Sequence, residues 1–295
     1  MLVDMTLLAK ALHPALPPDV WSSWNRDPFL ILGLLLAAVL YARGIRRLWQ
    51  RAGTGRGVSL WRVAAFAGGL LALVVALVSP PDAMSGALFS AHMVQHVLLM
   101  LAAAPLLVIG GSPVALGWML PRGPRLARWW HRRRCLRPAW QRLSSPGLIW
   151  AVHLLVLWLW HLPALYEAAL LDESIHVAEH LSFLAAALLY WWALLHGRRL
   201  TFLTGALYSF STMLLSGLLG VLFVFSESIW YPAHSLLPYG WGLTPLQDQQ
   251  LAGVIMWVPA GLVYLAATLL MLGAALTQET RRNGGARAVV APHRN

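Results

Sequence analysis

The stretch AHMVQHVLLMLAAAPLLVIG, Ala91–Gly110, decides how this chain is read. It carries no charged residue except for its imidazoles, and about 20 apolar residues is the length at which a helix crosses the hydrocarbon of a bilayer. A helix is the expected form because it pairs its own backbone groups where no water can. Yet the segment opens on His92, Gln95 and His96. Polar side chains at such a position need partners and normally face the interior of a helix bundle, so the segment predicts companions.

Outward from this stretch, six further segments have the same character. The seven predicted spans are 28–48, 60–79, 90–109, 146–162, 176–195, 201–225 and 249–275, the fourth being the shortest. The composition agrees: 59% of the 295 residues are hydrophobic and 11% charged, where soluble domains carry about 25% charged residues. The fold class expected is therefore an all-α membrane protein, a seven-transmembrane-helix bundle. Its parts are an N-terminal segment 1–27, a membrane domain 28–276 and a polar, Gly-containing tail 277–295, expected to be disordered. VALGWML, between Pro113 and Pro121, is too short to span and is expected at an interface.

A net charge of +11 raises the question of nucleic acid, but the basic residues follow the membrane instead. All of the 22 except Lys10 and Arg26 lie in alternate connections: Arg43–Arg62, Arg122–Arg142, Arg198 with Arg199, and Arg281 onward. The positive-inside rule then sets the N-terminus outside and the C-terminus in the cytoplasm. The loop RGPRLARWWHRRRCLRPAWQR mixes arginine with tryptophan, which suits an anionic membrane surface. Membrane lipids, and no nucleic acid, are the partners this pattern predicts. Apart from Glu279, the acidic residues fall on the outer side or at outer helix ends.

The single cysteine, Cys135, lies in that arginine loop. It allows no intramolecular disulfide and no CxxC metal motif, so any outer metal site must use other ligands. Residues 1–27 lack a basic n-region and do not read as a signal peptide.

The histidines are more informative by depth than by number. His92 and His96 fall in the first outer turns of the third span, His161 closes the fourth, and His176 with His180 opens the fifth. Each pair is spaced i, i+4, which puts both imidazoles on one helix face. Glu179 can share the face of the second pair. If the three helices turn these faces inward, five imidazoles converge at one depth. Neutral imidazole binds copper, zinc, iron and nickel, and carboxylates orient such ligands or join them. The expected metal ligands are His92, His96, His176 and His180, supported by His161, Glu179 and Asp248. Asp248, at the start of the seventh span, is also placed to cap that helix. The lone His153 in mid-span reads as a packed residue.

Met100 continues the His92–His96 stripe, and Met256 follows Asp248 by two turns. Each thioether lies about 12 Å deeper than its outer polar partner. Thioether sulfur favours reduced copper, although methionine is also common core filler. In span six Ser209, Thr212, Ser216 and Gly220 recur at helical spacing, as helices that approach closely require. Neither HMVQH nor HVAEH has the glutamate that follows the first histidine in HExxH hydrolases. With no nucleophile constellation and no phosphate-binding loop, nothing in the chain demands an enzyme.

The blocks HMVQH with LLMLAAAPLLVIGGSPVAL, WHLPALYEAAL, HVAEHLSFLAAALLYWWAL and DQQLAGVIMW, in that order, resemble the polytopic CtaG family of cytochrome c oxidase assembly factors. The resemblance covers about residues 28–276. It implies a multi-pass protein of the bacterial inner membrane, needed for oxidase maturation and involved in copper supply. A cytochrome c oxidase subunit or another assembly factor is the implied partner. His92, His96, His161, His176, Glu179, His180 and Asp248 occupy the motif positions. Two other functions remain open at this point: haem binding, since paired histidines on neighbouring helices also suit axial ligation, and a metal-free scaffold held together by polar contacts.

Overall fold

The computed structural model describes residues 20–119, 144–197, 200–232 and 237–290. The arginine loop with Cys135, the pair Arg198 and Arg199, and the first 19 residues lie outside them. Among the described residues every regular element is helical. Helices α1 (Pro28–Ala52), α2 (Leu60–Leu77), α4 (Phe89–Gly110), α8 (Glu173–His196), α9 (Phe202–Val224) and α10 (Pro245–Val290) contain apolar windows long enough to cross a bilayer. Short α3 (Pro80–Ser85) and α5 (Pro113–Met119) flank α4. The fourth expected span is a bent pair, α6 (Pro146–Trp160) and α7 (Pro163–Leu171), meeting at 71°. Among the described residues six helices therefore qualify as spans, or seven if the bent pair counts as one.

The bend has a local cause. Pro163 starts α7 and pushes the preceding Leu162 into extended backbone, φ −68°, ψ 131°, because a residue before proline is crowded out of the helical region. His161 sits at the corner that results. A second proline shapes α4: Pro105 has no N–H to give the carbonyl four residues back, and its ring would collide with that carbonyl. The chain widens into a π-helix over Leu98–Ala103, the kind of bulge that recurs at functional sites. Trp191 Nε1 donates to the Met100 carbonyl at 2.9 Å, so the disturbed turn is bonded across to α8.

Helix α4 is the interior element. The buried share of its apolar window is 61%, against 17% for α1. The HMVQH segment is held at one end by Gln95, whose amide donates to the Ala76 carbonyl at 2.8 Å and to Asp82 Oδ1 at 2.9 Å. At the other end of α4, Tyr41 Oη donates to the Gly110 carbonyl at 3.0 Å. Gln95 is thus a tie between α4, α2 and α3. The short helix α5 packs its Ala115 against Tyr41 and Ile45 of α1.

The small-residue stripe of α9 is an interface, as its spacing predicts. Ser209, Thr212, Ser216 and Gly220 are all buried, and α9 lies against α10. At Gly220 the approach is so close that a Cβ would stand 2.8 Å from the Gly253 carbonyl oxygen. Helix α10 runs from Pro245 to Val290. The hydroxyls of Thr277 and Thr280 bond back to the Gly273 and Leu276 carbonyls.

Candidate metal centre

The antiparallel order of the helices brings the start of α4, the α6–α7 corner, the start of α8 and the start of α10 to one end of the bundle. The described arginines of the α1–α2 connection lie at the other. Each element at the histidine end is positioned by its own sequence. Asp172 caps α8 by accepting from the Ser174 and Ile175 amides at 2.8 and 3.3 Å. Thr244 and Gln247 cap α10 reciprocally: the Thr244 amide donates to Gln247 Oε1 at 2.8 Å, and the Gln247 amide donates to Thr244 Oγ1 at 3.2 Å. This is a capping box followed by proline at the first helical position.

That arrangement corrects the expectation for Asp248. It does not cap its own helix, because Thr244 does so. Its carboxylate instead accepts from the amides of Phe89 at 2.7 Å and Ser90 at 3.1 Å, and from the Ser90 hydroxyl. Asp248 therefore caps α4, across 159 residues of sequence. Helix N-termini carry partial positive charge and unpaired amides, so a buried carboxylate there is well accommodated. One turn further on stands His92.

Four side chains then meet: His92 and His96 from α4, Glu179 and His180 from α8. One ligand atom from each can be chosen so that all lie within 4.8 Å of one another, and all four residues are buried. Glu179 is wholly buried and faces both α4 histidines: Oε2 lies 3.4 Å from His92 Nε2 and Oε1 lies 3.5 Å from His96 Nε2. Neither carboxylate oxygen has a regular hydrogen bond among the described residues. A hydrogen bond would bring such atoms to about 2.9 Å. Two ligands on one tetrahedral ion, each about 2.1 Å from it, stand about 3.4 Å apart. The two His–Glu separations lie in ion-pair range and equal this ligand spacing as well, while the four donor atoms as a group lie within 4.8 Å of one another.

His176 is beside this group and not within its tightest set. Its ring centroid is 4.3 Å from that of His180 and 5.4 Å from that of His92, but it is only half-buried. The structure thus places Glu179, expected as a support, among the converging donors, and His176, expected as a ligand, at their rim. His161 lies on the deeper side, its ring 5.9 Å from His96. Its Nδ1 donates to the Leu157 carbonyl at 2.6 Å. His153 is apart from the cluster: its Nε2 is 3.0 Å from the Tyr264 hydroxyl, and its ring stacks on Tyr190.

Three neighbours escaped the sequence reading. Tyr166, fully buried on α7, packs edge-on against His92 with centroids 5.2 Å apart. Tyr231 donates its hydroxyl to the His161 carbonyl at 2.8 Å. Met93 places its sulfur 3.3 Å from His161 Nε2. Tyr166 lies within the WHLPALYEAAL block, which is the one sequence signal for it. Met93 stands on a different flank of α4 from the His92–His96 stripe, and Tyr231 lies in a connection.

Fold and site together define a class: a multi-pass helical membrane protein with a buried three-histidine, one-carboxylate cluster at one end. The chain belongs to the cytochrome c oxidase caa3 assembly factor family (Caa3_CtaG), whose model matches residues 39–278. No curated protein and no solved structure gives a significant match.

Proposed function

We propose that this assembly factor handles copper, receiving the ion at the histidine end of the bundle and passing it to a maturing oxidase subunit. The observation that carries the reading is the Glu179 carboxylate, buried between His92 and His96 with His180 beside them, in a medium where unpaired polar groups are costly. Three neutral nitrogens and one anionic oxygen form a donor set suited to copper, zinc, iron or nickel. The family's place in oxidase assembly selects copper among them, as cargo. His92, His96, Glu179 and His180 are the ligands in this reading. His176 at the rim is the entry ligand, and Asp248 orients α4.

The charge pattern supports placing this end on the outer side of a bacterial inner membrane, since the described arginines of the α1–α2 connection lie at the opposite end. Haem finds less support: the rings pack at centroid distances of 4.3–5.6 Å, whereas two axial imidazoles need a porphyrin-wide slot between them.

The test is oxidase maturation in cells whose own copy is deleted. A stably expressed chain with His92→Ala and His96→Ala is expected to leave the oxidase without its copper and inactive. Normal maturation with that variant at wild-type abundance would overturn the reading in favour of a metal-free scaffold.

A further inference from the structure

On the side of the cluster toward the bundle middle, α4, α6, α9 and α10 surround a hollow of about 30 Å³. Its lining includes His96, His161, Met100, Met256, Ser216 and Tyr264. A space of this size takes one small ion or one water. Its hydroxyls are engaged elsewhere: Ser216 donates to the Thr212 carbonyl at 2.7 Å, and the Tyr264 hydroxyl lies 3.0 Å from His153 Nε2. The remaining lining residues that carry donor atoms are Met100, Met256, His96 and His161, set among Val97, Leu101, Leu157 and Ala260.

His161 gives the hollow its character. A carbonyl can only accept, so the 2.6 Å contact to Leu157 fixes the proton on His161 Nδ1 and leaves Nε2 of the neutral ring with a lone pair. That nitrogen faces the Met93 sulfur at 3.3 Å, and sulfur has no proton to offer. Two lone pairs therefore confront each other in a buried place. A nitrogen and a sulfur bound to one tetrahedral ion, at about 2.0 and 2.3 Å, stand about 3.5 Å apart.

We propose that His161 and Met93 form a second metal station at the edge of this hollow, selective for a soft monovalent ion, Cu(I); Met93 joins it through its contact with His161, and Met100 and Met256, which line the hollow, are further thioether donors. His96 borders both the hollow and the upper cluster, and so links the stations. Thioethers select Cu(I) over Zn(II), whereas the upper nitrogen and oxygen donors accept either. The ion enters already reduced and leaves reduced, so no electron transfer is involved. The identity of the cargo rests on the copper reading above. The donor geometry stands by itself.

The experiment titrates the purified full chain with Ag(I), a redox-inert stand-in for Cu(I), and separately with Zn(II), and records X-ray absorption at the silver edge. Wild type is expected to bind two Ag(I), with sulfur in the ligand shell, and one Zn(II). Met93→Leu, Met100→Leu and Met256→Leu together conserve volume. They are expected to remove one Ag(I) and the sulfur signal, leaving Zn(II) binding intact. Should the triple variant not fold, Met93→Leu alone is expected to weaken the sulfur signal and lower Ag(I) affinity at least tenfold.

Unchanged Ag(I) stoichiometry and affinity in the leucine variants, or a wild-type shell without sulfur, overturns the second station. His92→Ala with His180→Ala separates the two readings. If it abolishes all Ag(I) binding while the leucine variants have no effect, the upper site stands and the second station falls. If it leaves one sulfur-ligated Ag(I) but Zn(II) binding is unaffected, the second station stands and the upper site falls.

Discussion

Asp248→Ala is expected to lower the stability of the folded protein by about 3 kcal/mol. The carboxylate is buried and accepts from the Phe89 and Ser90 amides and the Ser90 hydroxyl. Alanine leaves these donors in a dry interior with no acceptor, and each such group costs about 1–3 kcal/mol. No water can enter as cheaply as at a surface cap, where the loss is typically about 1 kcal/mol. Asp248→Asn keeps one acceptor oxygen and is expected to lose less than the alanine variant. Thermal unfolding in detergent, followed by helical circular dichroism, measures both. An unchanged midpoint for the alanine variant would mean that α4 is not anchored through Asp248. Because His92 follows one turn after Phe89, the alanine variant is also expected to hold metal more weakly, without losing a ligand.

The second large effect separates affinity from stability. Glu179→Gln keeps the size of the side chain and removes its charge. As the anionic donor between His92 and His96, Glu179 is expected to account for at least about a 100-fold part of the copper affinity, the upper end of what orienting partners of a site contribute. The metal-free protein is expected to respond oppositely. A buried carboxylate without regular hydrogen bonds is a burden on the fold, and neutralising buried charge is often neutral or stabilising. The melting temperature of metal-free Glu179→Gln should therefore equal or exceed that of wild type. A polar scaffold predicts the reverse, a loss of stability with no metal phenotype. Isothermal titration with copper and a thermal melt of the same sample decide between them.

Most of the fold was legible because hydrocarbon imposes a simple rule on sequence. Long apolar runs such as Phe202–Val224 can only be helices, and the i, i+4 spacing in HMVQH and HVAEH fixes a common face whatever the packing. Counting spans then puts His92, His96, His161, His176 and His180 at one end. What could not be read was set by contacts between distant segments. That Asp248 caps α4 instead of α10 depends on a pairing across 159 residues, and only the Thr244–Gln247 capping box hinted that α10 had no need of it. Rotation was equally hidden: His176 and His180 share a face with Glu179, but how far α8 is turned toward α4 decides which of them reach the centre. The π-helix of α4 had a signal in Pro105. The Met93–His161 contact had none, because it depends on the 71° corner between α6 and α7.

The central claim is that the buried cluster holds copper, and metal content tests it most directly. The protein, purified from copper-supplemented cells, is analysed for bound metals together with its visible absorption spectrum, alongside the His92→Ala/His96→Ala variant. Wild type is expected to retain copper in stoichiometric amount with no Soret band, and the double variant to lose the cluster-bound copper while remaining folded. Equal copper in the two proteins, or stoichiometric haem in wild type, would contradict the account.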